Sequence, residues 1–342
     1  MPKRLTLQDI ARTLDLHYST VSLALRDDPR LNKATRLRVQ TAARELGYAP
    51  NPNARALAVW KQTSRPASEH GTLAILTPRI FPSVYLEGAQ EQAARLGYQA
   101  EMISYREPAV SGARLTQILR ARGITGLLVI PPFPGDPVLK RLNLDWRYFS
   151  AITFGNTLLW PKLHRVGDNQ FRNMKQLVRK LVSLGYRRVG FCMSDYASIA
   201  LASDDGWKGG YLVEMDRVGE AISLFYRERD TYDERLIRNW IKSERLDVIV
   251  TDYSYAAERV ALCSGRKVPE ELGMASLTAG DDPSSDIGPC SGINPHFSRI
   301  GAMAVDFVVH LIHTHQRGIP EFPQRILLEG TWVEGKTTRR VN

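Results

Sequence analysis

Residues 6–61 read TLQDIARTLDLHYSTVSLALRDDPRLNKATRLRVQTAARELGYAPNPNARALAVWK. Thr6 precedes an apolar run and Asp9 follows three residues on. The hydroxyl can therefore cap free backbone N–H groups while the carboxylate sits at the positive end of a helix. Leu7, Ile10, Ala11 and Leu14 repeat at helical spacing and give that helix one apolar face. Asp15-Leu16-His17 interrupts the pattern, which resumes from Tyr18 to Leu25 with Val21, Ala24 and Leu25 inward. Asn32 suits the cap of a third helix lined inside by Thr35, Val39, Ala43 and Leu46, and Gly47 is placed to end it in a left-handed conformation. Two such helices joined by a short turn form a helix-turn-helix, whose second helix lies in the DNA major groove.

Charge supports that reading over a plain helical bundle. Residues 1–65 hold twelve Lys and Arg against five Asp and Glu, so the head carries +7 of the net +10 and the remaining 277 residues only +3. Basic charge this localised is the footprint of phosphate-backbone binding.

The stretch continues as Gly47-Tyr48-Ala49-Pro50-Asn51-Pro52-Asn53-Ala54-Arg55-Ala56-Leu57-Ala58. Together with TLQDIA, the STVS of the second helix, TRLRV and LGY, it resembles the lactose-repressor (LacI/GalR) family of bacterial transcription regulators; the body continues the resemblance more loosely to about residue 333. The resemblance implies a hinge helix over about 51–61 that folds only on operator DNA and enters the minor groove as a pair in a dimer. Leu57 falls at the wedge into a central base step, with Asn51, Ala54 and Arg55 supporting the approach. The physics agrees: eleven residues are too few for a stable isolated helix, and apolar wedges that unstack a step are how minor-groove binders kink a duplex.

The same resemblance assigns base-edge contacts to Tyr18, Ser19 and Leu23, and phosphate contacts to Thr6, Ser22, Asn32, Thr35 and Arg36. Two departures stand out. Leu23 occupies a position that is often Arg; it cannot bond guanine bidentately but can press on a thymine methyl. His17 replaces the usual Ser or Thr at the helix start, which predicts a weaker cap. Asp15 stands where the turn often has Gly, and Asp tolerates the left-handed conformation.

A chain of 342 residues needs more than one domain. Cys192, Cys263 and Cys290 are scattered singly, without metal-site or disulfide spacing, and read as buried thiols. No signal peptide and no apolar run near the length of a membrane span is present, so the expectation is a cytoplasmic protein with no membrane partner. From Gly71 onward, apolar strands at 72–77, 99–104, 126–130, 149–154, 188–193, 221–226, 247–251 and 273–277 alternate with amphipathic segments at about 84–96, 111–122, 169–184, 207–219, 232–244 and 254–264. That pattern implies parallel sheets covered on both faces.

The fold class is therefore an N-terminal all-α helix-turn-helix head with hinge helix, then an α/β body of two doubly wound parallel-sheet subdomains. The resemblance makes that body like the periplasmic sugar-binding proteins, with three crossings between subdomains. The expected organisation is a head at 1–61, a linker at 62–70, a body at 71–333 and a tail at 334–342. Within the body, the first subdomain takes about 71–166 and 296–325, the second about 167–295 and 326–333.

Ligands of open α/β sheets bind outside the carboxyl ends of strands, and two such edges facing each other make a cleft whose closure is a switch. Sugar-binding family members grip their ligand with an Arg before a Gly-aromatic pair, an Asn-Asp pair after a strand, and an Asp after a late Gly-Phe. Here those places hold Trp207 (before Gly210-Tyr211), Asp252-Tyr253 and Thr278, while Asp168-Asn169 is kept. Two readings stay open. In one, Trp207, Tyr253, Asp252, Asp168 and Thr278, with Phe81 or Tyr85 on the opposite lip, hold a small-molecule effector of the carbohydrate class. In the other, the cleft has lost that role, and Trp207 and Tyr253 simply pack.

No phosphate-loop, nucleophile-elbow, HExxH or dinucleotide-loop motif appears, so neither an enzyme nor a cofactor or metal is expected. Asp281-Asp282 reads as a solvated turn, and His310, His313 and His315 as a solvated or interface helix end. The expected function is sequence-specific binding of a pseudo-palindromic double-stranded operator by a homodimer, repressing under control of the effector. A regulator sensing a protein partner is the nearer alternative, and a solute-binding or carbohydrate-processing protein the remote one.

Overall fold

The computed structural model describes residues 5–25, 28, 30–48, 71–78, 84–105, 111–131, 143–155, 157–158, 160–194, 205–227, 231–280 and 289–341. In the head, α1 (Leu7–Leu14) starts from a reciprocal box. Thr6 Oγ1 accepts the Asp9 backbone N–H at 3.3 Å, and the Asp9 carboxylate takes the Thr6 backbone N–H at 2.8 Å. Asp15 ends α1 in the left-handed region at φ 51°, ψ 48°. The second helix, α2 (Tyr18–Leu25), and the third, α3 (Lys33–Glu45), complete the bundle. Ile10, Ala11, Val21, Ala24, Val39 and Ala43 form its core, ringed by Leu5, Leu7, Leu14, Leu16, Leu25, Leu31 and Tyr48. Leu46 departs from the expected inner side: α3 stops at Glu45, Leu46 is its C-cap at 40% exposure, and Gly47 at φ +69° turns the chain away.

Among the described residues the body holds two six-stranded sheets. The first has the order β11-β5-β4-β3-β1-β2, from β1 (Thr72–Thr77), β2 (Gln99–Ser104), β3 (Gly126–Val129), β4 (Ser150–Phe154), β5 (His164–Asp168) and β11 (Arg325–Leu328), all parallel. The second has the order β12-β10-β9-β8-β6-β7, from β6 (Val189–Ser194), β7 (Ser223–Arg227), β8 (Val248–Thr251), β9 (Gly273–Ser276), β10 (Ser291–Asn294) and β12 (Thr331–Val333), with only β12 antiparallel. Alternate residues of β1 go to opposite cores. Leu73 and Ile75 pack with Ile300, Ala304 and Val308, whereas Ala74 and Leu76 pack with Leu115, Leu119 and Trp146. Burial on both faces is why these strands read as continuous apolar runs.

Helices α4 (Val84–Arg95) and α5 (Gly112–Ala121) cover the first sheet. The second is flanked by α6 (Gln170–Ser183), α7 (Gly206–Val218), α8 (Glu234–Glu244) and α9 (Ser254–Ser264), and the long α10 (Phe297–His313) returns to the first. Glycine sets two of the helix contacts. A Cβ on Gly88 of α4 would lie 1.9 Å from the Ser298 carbonyl oxygen of α10, and one on Gly210 of α7 would lie 2.5 Å from that of Phe171 on α6.

The structure moves the expected subdomain boundaries. Strand β5 runs through Asp168 and pairs with β11, Asp168 opposite Leu328, so both belong to the first sheet beyond residues 166 and 325. Its sequence HRVGD lacks an apolar run, as do SGIN of β10 and TWV of β12, and none of these three stood out beforehand. Residues 334–341 are not a free tail. Thr337 is fully buried, takes the Ser291 N–H on its hydroxyl at 2.9 Å and gives its proton to Met274 O at 2.7 Å, and Val341 N–H bonds Leu184 O at 2.7 Å.

The chain crosses between sheets at 168–170, 294–297 and 328–331, each time leaving the carboxyl end of a strand. That topology puts those strand ends at the junction. The crossings are tied together: Asn169 N–H bonds Leu328 O at 2.8 Å, Gly330 N–H bonds Asn173 Oδ1 at 2.8 Å, Arg172 pairs with Glu329 at 2.8 Å, and His296 Nε2 lies 3.0 Å from Thr331 Oγ1.

Candidate functional site

Two surfaces gather the residues singled out by sequence. On the head, Tyr18 and Ser19 stand exposed on the first turn of α2, while Leu23 and Ser22 are half-buried about one turn on. His17 reverses the expected weak cap. Its Nδ1 accepts the Ser19 backbone N–H at 3.3 Å and lies 2.7 Å from Ser19 Oγ. An imidazole Nδ1 stands as many bonds from Cα as the oxygen of an asparagine, so histidine caps as asparagine does. Because the backbone N–H points at the same nitrogen, Nδ1 is the unprotonated one, and the Ser19 hydroxyl donates to it.

The phosphate candidates divide. Thr6 is exposed, but its hydroxyl donates to the Asp9 carboxylate at 2.6 Å, so an incoming phosphate competes with the cap. Asn32 is exposed and accepts the Thr35 N–H at 2.7 Å through its carbonyl oxygen. Thr35 and Arg36 are half-buried in the first turn of α3. Between α2 and α3, Asp28 is buried and forked by Arg30, whose Nε and Nη2 reach its two oxygens at 2.9 and 2.7 Å; these bonds hold its carboxyl down at about 2. Asn51, Ala54, Arg55 and Leu57 lie outside the described residues.

The second surface is the carboxyl edge of the second sheet. Asp252, just past β8, is buried and saturated. Its Oδ2 accepts Ser194 N–H and O–H at 2.9 and 2.6 Å, and its Oδ1 accepts Arg227 Nη2 at 2.8 Å and Tyr253 N–H at 3.0 Å. Thr278 is also engaged, its hydroxyl taking the Ser254 N–H at 3.1 Å at the start of α9. Trp207, half-buried on α7, meets Tyr253 edge-on at 6.2 Å, and Tyr253 stacks on Tyr255 at 5.5 Å. Asp168 lies at the end of β5 in the other sheet, where burial pushes its carboxyl up to about 6. The structure thus brings Trp207, Tyr253 and Asp252 together and places Asp168 at the first crossing. Phe81 and the side chain of Tyr85 lie outside the described residues.

Sequence reasoning missed Arg227, Ser194 and Tyr232. Arg227 ends β7, is 3% exposed, forms a fully buried ion pair with Asp252, and lies 5.0 Å from the Tyr232 ring. The signal was an arginine closing the apolar strand SLFYR, one residue beyond where the expected strand stopped. The described cysteines are buried or half-buried thiols; burial pushes Cys192 up to about 12 and Cys290 to about 11. Among the described residues, no three His, Cys, Asp or Glu side chains converge on a metal position, and no helix is long and apolar enough to cross a membrane.

The model of bacterial regulatory proteins of the lacI family matches residues 6–51, and that of the periplasmic binding protein-like domain matches residues 178–338. The HTH-type transcriptional repressor CytR of Escherichia coli K12 is 34% identical over 231 residues, 66% of this chain and 64% of that protein. Two solved structures share the fold along the whole chain at 19% identity, each covering 98% of this chain and 100% of its own: a lac repressor dimer bound to operator and the anti-inducer ONPF at a TM-score of 0.60, and the transcriptional regulator CelR in complex with cellobiose at 0.58. With a lacI-type head followed by a periplasmic-binding-protein-like body, this protein belongs to the lactose-repressor family of DNA-binding transcriptional regulators.

Proposed function

We propose that this regulator binds a pseudo-palindromic operator as a cytoplasmic homodimer, acts as a repressor, and is controlled by a small molecule between its subdomains. The observation that carries the proposal is the head: three capped helices expose Tyr18 and Ser19 at the start of α2 and hold most of the chain's excess positive charge. A body of two sheets joined by three crossings can hold two heads at a fixed spacing, so protein symmetry matches DNA symmetry. The solved relatives support both halves, one being a dimer on operator DNA and the other a complex with the sugar cellobiose. An effector acts here only so far as it binds the two subdomain arrangements unequally.

Within this reading Tyr18, Ser19 and Leu23 read bases, and Ser22, Asn32, Thr35 and Arg36 hold phosphates, with Thr6 supporting the approach. Asn51, Ala54, Arg55 and Leu57 form the conditional minor-groove wedge. Leu57→Ala should weaken binding to a selected operator about a hundredfold while leaving non-specific duplex binding nearly unchanged, in line with the few kcal/mol of a step-unstacking contact. Gel-shift titration on both DNAs checks it; equal loss on both refutes the wedge.

A second reading, a regulator whose body senses a protein partner, is favoured by one observation. Asp252 and Thr278, two of the expected sugar-gripping positions, are engaged in internal bonds. Calorimetry against sugars and their derivatives separates the two.

A further inference from the structure

We infer that the effector is an anionic small molecule, carrying a carboxylate or phosphate group that the Arg227 guanidinium receives. The inference deepens the effector reading above and rests on it. It begins from an imbalance at the carboxyl edge of the second sheet. Asp252, the carboxylate there, accepts four hydrogen bonds and has no capacity to grip a ligand hydroxyl. The donors around it are in the opposite condition. Arg227 uses only Nη2 on Asp252, and its Nε and Nη1 are buried without a hydrogen-bond partner. So are Trp207 Nε1 and the Tyr232 hydroxyl.

These groups are contiguous. Trp207 touches Tyr253, Tyr253 follows Asp252, Asp252 pairs with Arg227, and Arg227 lies over the Tyr232 ring at 5.0 Å. The thiol of Cys192 beside Arg227 is only a weak acceptor. Buried donors left unpaired cost about 1–3 kcal/mol each, and a native fold does not leave several together without cause. All the unpaired groups here can donate and the neighbouring acceptor is saturated, so the complementary ligand is rich in acceptors. A buried guanidinium whose Nε and Nη1 are unpaired favours an anionic acceptor, a carboxylate or phosphate oxygen, over a neutral hydroxyl. The flanking Trp207 and Tyr253 rings supply the apolar wall that lets a sugar or other ring carry that group.

The test is isothermal titration calorimetry of the full-length protein against matched probes: glucose, gluconate and glucose 6-phosphate, then cellobiose, then adenosine and AMP. A charged member should bind at least tenfold more tightly than its neutral counterpart, and Arg227→Lys should weaken it by about ten- to a hundredfold. If Arg227→Lys fails to fold, the charge-free pair Arg227→Gln with Asp252→Asn keeps the test open, because removing both partners leaves no buried charge. The urea midpoint shows which variant folds, and the double variant should lose discrimination between charged and neutral probes. A neutral probe that binds as tightly as its charged counterpart, indifferent to Arg227, overturns the anionic assignment and leaves the effector reading standing. No binding by any probe overturns both.

Discussion

Each half of the molecule contains a buried aspartate held by an arginine, and the two pairs do different work. In the head, Asp28 is 4% exposed but its partner Arg30, two residues away, has a side chain 62% exposed. In the body, Arg227 ends β7 and Asp252 follows β8, strands that flank β6 on either side, and their side chains are 1% and 4% exposed. The first pair locks a turn and leaves the arginine in water. The second fixes an arginine beneath the surface where water cannot satisfy it. A local, half-solvated pair fixes a turn at the surface of the head, whereas a non-local, dry pair fixes charge inside the body.

The largest effect that would break this comparison comes from Asp252→Ala. Stripping the carboxylate strands a buried guanidinium, and such losses run to about 3–5 kcal/mol. Chemical denaturation of the body should show that drop. A loss below about 1 kcal/mol would mean that Arg227 reaches water, and the contrast with the head would collapse.

Asp168 comes next, with the opposite sign. Burial raises its carboxyl from 3.8 to about 6, so the folded protein binds this proton more tightly than the unfolded chain does. Its contribution to stability is therefore full below pH 3.8 and is lost as pH rises through about 6. Asp168→Asn should stabilise the protein above pH 7 by up to about 3 kcal/mol. That advantage should vanish in urea melts near pH 4. A constant difference across the range would show that the carboxylate is compensated at the crossing.

Much of this was legible in advance, for identifiable reasons. Strands such as TLAILT and VIVT are buried on both faces and announce themselves as apolar runs, and α2 and α3 follow from Val21, Ala24, Val39 and Ala43 at helical spacing. What escaped was structure defined by partners. Strand β5 is HRVGD, held by β4 and β11 rather than by its own composition, and residues 334–341 read as a tail because Thr337 is polar and its acceptor, Met274 O, is 63 residues away. The surroundings of Asp252 escaped similarly. A sequence shows that Asp252 is a carboxylate but not that Ser194 and Arg227 already occupy it.

In the head, removing Asp28 frees an arginine that water already solvates, so Asp28→Ala should cost only about 1 kcal/mol. Arg30 holds the Asp28 carboxyl at about 2, below its ordinary 3.8. The pair's contribution is therefore present at neutral pH and lost only as pH falls through about 2. A thermal melt at pH 7 that drops as far for Asp28→Ala as for Asp252→Ala would erase the distinction between the two pairs.

The smallest energetic effect carries the sharpest readout. His17 caps α2 through Nδ1, so His17→Ala should cost about 1 kcal/mol of head stability. The same nitrogen receives the Ser19 hydroxyl proton at 2.7 Å, which leaves Ser19 presenting only lone pairs outward. A hydroxyl so fixed suits a base-edge donor, the N4 amino of cytosine or the N6 amino of adenine, and not guanine O6 or thymine O4. Without His17 the hydroxyl rotates and can donate as well. Selection from random duplex DNA should therefore show cytosine or adenine at the Ser19 position for the natural protein and a flatter profile for His17→Ala. An unchanged profile would mean that His17 only caps, and that the exposed face of the head reads bases without help from the residue that starts its helix.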